Sequence, residues 1–288
     1  MSALPVLPAL AAGLCDDAAV FPPGSLPLPD AVPAHRRHRT APYAGMVGPF
    51  IVAAPALADL GALVGPGDRF DLVVTVPAGP EHVPAVLEEA AALPVPLAGV
   101  EVAVPAGTSP AELFAALDRA GAAVPVFVEV PRDERRPEII AALPGTPYRA
   151  KFRTGGTTAA LHPDEAEMAA AIGAVVAAGV PFKATAGLHH AIRRTDPDTG
   201  FEQHGFLNLM LAVDAALGGA PEGELAAILA RRDGAAVAAA VAALDGGRIA
   251  AVRERFLSFG TCSITDPLND LIGLGLVPGS ILRGGESA

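Results

Sequence analysis

Short apolar runs of strand type alternate along this chain with longer Ala- and Leu-rich stretches. The strand-type runs are Gly13–Phe21, Phe50–Ala54, Phe70–Pro77, Gly99–Pro105, Val124–Pro131, Tyr148–Gly156, Pro181–Leu188 and Leu257–Ile264. Between them the apolar spacing turns helical, as in Glu81–Ala92, Pro110–Ala120 and Asp164–Ala178. Thr108 and Ser109 ahead of Pro110 and Glu112 mark a helix start, and Gly121 and Gly179 mark helix ends. Strand–helix alternation calls for parallel strands joined by right-handed crossovers. Eight such units, with no glycine-rich dinucleotide loop after the first strand, predict a single α/β domain, a (β/α)8 TIM barrel over residues 1–288, rather than an open doubly wound sheet.

One interval breaks the rhythm. Residues 191–254, between the seventh and eighth strands, hold the helical pieces Phe206–Leu217, Leu225–Ala230 and Ala235–Leu244 behind a turn cluster at Asp196, Pro197, Asp198, Thr199 and Gly200. They read as a helical insertion on the face where the strands end, placed like a lid. Pro22–Pro33 reads as an extended loop before the first helix, and Gly284–Ala288 as a frayed tail.

Composition narrows the function classes. A chain of 288 residues suits one barrel of ~250 residues plus an insertion. Hydrophobic residues at 51% and charged residues at 18% allow a large core and argue against disorder. The net charge of −11 leaves no basic footprint for nucleic acid. The densest basic run, His35–Arg39, reads as a solvated or partner-facing helix surface. Cys15 and Cys262 are too few for a disulfide framework. Met1–Ala12 is apolar but lacks the positive flank of a leader, and no run of about 18 apolar residues reads as a membrane span. The expectation is a cytoplasmic protein with a small-molecule substrate and no nucleic-acid or membrane partner. The apolar stretch Phe206–Leu217 leaves room for a homo-oligomer, since it suits either covering the barrel or joining subunits.

Charged residues inside strands are costly unless paired or used. Here they recur: Asp16 and Asp17 in the first strand run, Glu101 in the fourth, Glu129 in the fifth, Lys151 and Arg153 in the sixth, Lys183 in the seventh. The two-residue period puts Lys151 with Arg153, and Lys183 with Thr185, on one face. Adjacent strands lie roughly 5 Å apart, so the two lysines can approach closely. A neighbouring cation and desolvation both lower a lysine pKa, and a neutral lysine can attack a carbonyl to form a Schiff base. Glu101 or Glu129 would then move protons. A buried ion-pair network is the other use such charges have.

Lys151, Thr154 and Gly155 form a Lys-x-x-Thr-Gly element, Lys183 is followed by small residues and Gly187, and Gly260, Thr261, Cys262 and Ser263 close the eighth strand. These elements resemble the deoxyribose-phosphate aldolase family, a metal-free lysine aldolase barrel, over the C-terminal half of the chain. The resemblance implies Lys151 as the Schiff-base lysine, Lys183 as the group that lowers its pKa, Glu101 near the family's proton-handling Asp, and a phosphate loop at Gly260–Ser263. Glu in place of Asp, a single Gly after the second lysine and the long insertion depart from that pattern. Taken whole, the chain looks closer to a set of bacterial proteins of no assigned function, through Asp17–Pro23, Phe182–His190 and His204–Asn208.

Thr154, Gly155, Gly156, Gly187, Gly260 and Thr261 offer backbone N–H groups at βα turns, and Arg153 a charge, for a phosphate or carboxylate. Asp16 and Asp17 are candidates for holding substrate hydroxyls, for pairing with a barrel lysine or for capping the following loop, with Asp17 also a candidate catalytic group. Of the adjacent His189 and His190 one is expected to face the site and assist. With His204 and an acid they would make a metal site, although no HxH or HExxH spacing supports one. Asn208, four residues after His204, shares its helix face. Cys262 reads as packing more than as a nucleophile.

The leading expectation is a carbon–carbon lyase of Schiff-base type that needs neither cofactor nor metal and acts on a small carbonyl compound bearing phosphate or carboxylate. The alternatives are a metal-dependent lyase or isomerase and a non-catalytic barrel that binds a small anion.

Overall fold

The computed structural model describes residues 8–282. The tail expectation for Gly284–Ala288 and most of the leader-like start fall outside the described residues. Eight parallel strands close a barrel: β1 (Cys15–Asp17), β2 (Val47–Ala53), β3 (Leu72–Val76), β4 (Leu97–Ala103), β5 (Val126–Glu129), β6 (Arg149–Arg153), β7 (Phe182–Thr185) and, after a two-stranded antiparallel ribbon of β8 (Arg194–Thr195) and β9 (Glu202–Gln203), β10 (Phe256–Thr261). The last strand lies between β7 and β1 and closes the ring. The fold is therefore the TIM barrel that the strand–helix alternation predicts.

Helices α1 (Leu28–Thr40), α2 (Leu57–Gly61), α3 (Val83–Ala91), α4 (Pro110–Ala120), α5 (Arg136–Ala142) and α6 (Glu165–Ala177) follow the first six strands. The start of α4 shows why the chain turns where it does. Ser109 Oγ accepts the Glu112 N–H, and the Glu112 carboxylate accepts the Ser109 N–H, which satisfies two orphan donors at once. Gly121, with φ of 59°, ends the same helix in the left-handed conformation. The Pro-rich start differs from the extended loop expected to reach Pro33: α1 already begins at Leu28. Pro29 sits in its first turn, where a missing N–H costs nothing, and Pro33 is accommodated within the helix. The basic run is also not one solvated surface. His35 is buried against β1, and Arg36 pairs with Asp68.

Residues 191–254 carry the ribbon and then α7 (Phe206–Leu217), α8 (Glu222–Leu229), α9 (Gly234–Ala242) and α10 (Gly246–Arg255), ahead of β10 and α11 (Thr265–Gly273). They do not form the lid expected of them. Phe206 through Val213 are buried, and α7 packs beside α6 and against β10, with α8 laid over α6 and α7. None of these residues lines the barrel mouth. The physical reason is the apolar face of α7, which needs a covered position in the helical ring. Among the described residues no single helix is long and apolar enough to cross a membrane.

Candidate active site

The C-terminal ends of the strands surround a cavity of about 430 Å3. Strand parity decides what reaches it. In β1, Asp16 points into the barrel and Asp17 points out toward α1. In β6, Lys151 and Arg153 both point in, and in β7 Lys183 and Thr185 do, as the two-residue period requires.

The inward charges form one alternating chain across the barrel. Ser258 on β10 donates to Asp16 Oδ2 at 2.8 Å. Lys183 Nζ bonds Asp16 and reaches Glu101 Oε1 at 2.5 Å. The other Glu101 oxygen holds Lys151 Nζ at 2.7 Å. Lys151 also reaches Glu129 Oε2 at 2.9 Å, and Glu129 Oε1 accepts from Arg153 Nε at 3.0 Å. Three carboxylates thus balance three cations. The inner end is closed to solvent, whereas the Glu129 and Arg153 side chains are 23% and 36% exposed in the cavity. The ring of Phe127 on β5 lies 5.4 Å from Lys183 Nζ and completes its surroundings.

Burial alone would raise the Glu101 pKa, but the two ammonium groups reverse this and hold its carboxyl down at about 2. Burial likewise works against a charged Lys183, yet Asp16 and Glu101 outweigh it and raise the lysine above its ordinary value. Burial pushes the Asp16 carboxyl up, with Lys183 and Ser258 pulling it back. Glu129 is held below the usual carboxylate range because Lys151 and Arg153 overcome its burial. Lys183 is therefore a fixed cation. Its influence on Lys151 is mediated by the carboxylate between them, a departure from a direct ammonium–ammonium contact.

His189 lines the cavity with Cys262, and its Nδ1 lies 3.1 Å from Thr261 Oγ1 and 3.5 Å from Cys262 Sγ. Burial lowers the His189 pKa and raises that of Cys262, so the pair is a neutral imidazole beside a thiol rather than an activated thiolate.

Several expected site residues lie elsewhere. Asp17 Oδ2 bonds His35 Nδ1 at 2.8 Å behind the barrel wall, because its position in β1 faces α1. His190 pairs with Asp270 on α11. His204 is fixed between Arg193 and the Pro163 carbonyl, and Asn208 ties the Arg193 N–H to the Ile228 and Arg231 carbonyls. His204 and Asn208 hold 191–254 onto the helical layer. The three histidines do not converge, and among the described residues no group of three His, Cys, Asp or Glu side chains is arranged to hold a metal ion.

The expected anion cradle is largely used up by the fold. Thr154 Oγ1 donates to the Ala186 carbonyl at 2.5 Å. Gly155 and Gly187 pack so closely that a Cβ on Gly155 would stand 2.8 Å from Gly187 Cα. The Gly156 backbone is engaged by His162, although Gly156 itself lines the cavity. Ser263 Oγ accepts the Asp266 N–H at the start of α11, and Thr261 Oγ1 donates to the Ser263 carbonyl. Arg153 stands open to an anion: only its Nε is engaged among the described residues, and both terminal NH2 groups are unclaimed.

Sequence patterns gave little sign of Ser258 or Gly48. Ser258 shares only the two-residue period of Gly260 on β10. Gly48 on β2 is needed because a Cβ there would meet Asp16 Oδ1 at 2.3 Å.

The fold and site together define a TIM barrel with a charged floor at the C-terminal end of its strands. No protein-family model matches the chain, and no curated protein sequence matches it.

Proposed function

We propose that the protein is a carbon–carbon lyase that works through a Schiff base on Lys151, with a small anionic carbonyl compound as substrate. The supporting observation is that Lys151 is the lysine lining the cavity, flanked by two carboxylates and backed by a second lysine that pairs with Asp16 and Glu101. Interior charges are expensive to desolvate, and apolar side chains often give equal stability. A charge chain ending in an open cavity is therefore better suited to chemistry than to holding the barrel together.

At rest Lys151 is an ammonium group between Glu101 and Glu129. A substrate anion on Arg153 weakens the hold of Arg153 on Glu129, which can then take the Lys151 proton. The neutral amine adds to the substrate carbonyl, and the oxygen leaves as water after accepting two protons, the last from Glu129. Glu129 then removes the proton of the substrate's β-hydroxyl. The bond between the α and β carbons breaks, its electron pair moves toward the iminium nitrogen, and an aldehyde departs. Protonation of the enamine and hydrolysis by water free the second product and restore Lys151. Lys183 and Glu101 hold the electrostatics of the floor through these steps.

The complete pairing of the resting charges favours a second reading, a barrel that binds a small anion without turnover. Borohydride reduction in the presence of small aldehydes, ketones and oxo acids, read by intact mass and peptide mapping, separates the two. A reduced adduct on Lys151 that disappears in Lys151→Arg is expected. Folded protein that yields no adduct with any carbonyl would favour the binding barrel.

A further inference from the structure

The cavity is divided by chemistry. Its charged side chains come from β4, β5 and β6, as Glu101, Glu129, Lys151 and Arg153. The side formed by β1 to β3 and their loops is apolar, with Phe21, Pro22, Ile51, Ala53, Val76 and Pro77. Thr75 is the one hydrogen-bonding side chain that these strands contribute to the lining. In the eight-strand ring β2 stands diametrically opposite β6. A carbonyl compound with its carbon at Lys151 and its anion at Arg153 is anchored twice on β6, so the rest of its chain projects across the mouth toward Ile51 and Ala53.

We propose that the substrate is a small oxo acid whose chain beyond the reacting carbons is hydrocarbon, not polyhydroxylated. This rests on the Schiff-base reading of Lys151. Each methylene laid on the apolar side tightens binding by about fourfold. A hydroxyl there is stripped of water with almost nothing to bond, which weakens binding roughly tenfold or more. The carboxylate is held by the unclaimed NH2 groups of Arg153, a planar fork matched to two carboxylate oxygens.

The test is borohydride labelling of Lys151 in the full chain, titrated with a series of straight-chain 2-oxo acids from pyruvate to 2-oxohexanoate. Five- and six-carbon 2-oxo acids hydroxylated only at C5 or C6, beyond the reacting carbons, are run beside their unsubstituted counterparts. The half-saturating concentration is expected to fall about fourfold per added methylene, and to be at least tenfold higher for each hydroxylated partner. Ala53→Ser, which adds one hydroxyl to the apolar side at the position paired with inward-facing Thr75, is expected to narrow that gap. Arg153→Gln is expected to lower the ratio of oxo-acid labelling to butanone labelling at least tenfold, both measured in the same variant, since any change in the release of Glu129 acts on both probes alike. Equal or stronger labelling by the hydroxylated acids overturns this inference and leaves the Schiff-base function standing. Labelling of Lys151 by no carbonyl at all overturns both.

Discussion

Lys151 lies directly opposite Lys183 in the β6–β7 ladder, and the carboxylate of Glu101 reaches both ammonium groups from β4. Glu101 is thus the pivot of the floor. Glu101→Gln should leave two buried cations with one carboxylate fewer and lower stability by roughly 3–5 kcal/mol. The Glu101 pKa is held at about 2, below its ordinary value of 4.5. A carboxyl depressed in this way contributes stability that is complete above the ordinary value and is lost as pH falls from about 4.5 toward 2. Urea unfolding across that window should show a steeper loss in the wild type than in Glu101→Gln. Equal midpoints for the two proteins at neutral pH would rule out the pivot role.

The seat of Asp16 depends on a missing side chain. A Cβ at position 48 would stand 2.3 Å from Asp16 Oδ1, so Gly48→Ala must displace the carboxylate that pairs with Lys183. A loss of about 1–3 kcal/mol is expected from overpacking. Denaturant midpoints check it, and an unchanged midpoint would mean that β2 yields without disturbing the floor.

Asp17 is buried and bonded to His35 and to the Ala19 N–H, outside the cavity. Asp17→Asn should cost about 1–3 kcal/mol through the weakened buried hydrogen bonds. Labelling of Lys151 in the folded variant should match the wild type. A variant that keeps its stability and loses labelling would place Asp17 in the chemistry after all.

Ala186, which lines the cavity after β7, has φ of 64°, a left-handed conformation that a Cβ disfavours. Ala186→Gly should raise stability by about 1 kcal/mol, read as a shift of the urea midpoint to higher concentration. Destabilisation instead would show that the Ala186 methyl contributes more by packing than the backbone loses.

Much of this was legible in the chain because it is local. Buried parallel strands write themselves as short apolar runs, and helices as a 3.6-residue period with caps, so the eight units and the α4 boundaries stand out before any contact is known. The charges of Lys151, Lys183, Glu101 and Asp16 also stand out, since strand interiors seldom carry them. The Lys151–Arg153 and Lys183–Thr185 pairings follow from parity within one strand.

The tertiary structure decided the rest, because each remaining question joins segments distant in the chain. Parity separates Asp16 from Asp17, but only ring closure shows which of the two faces inward. Glu101 comes from β4 and meets lysines on β6 and β7, a contact set by the barrel's width and stagger rather than by any spacing in the sequence. The histidines at 190 and 204 and the helices after β7 look like site and lid in one dimension. In three dimensions the apolar face of α7 required cover, and the helical ring offered it. Local periodicity determined which residues are strand, helix and buried charge, and long-range packing determined which of those charges meet.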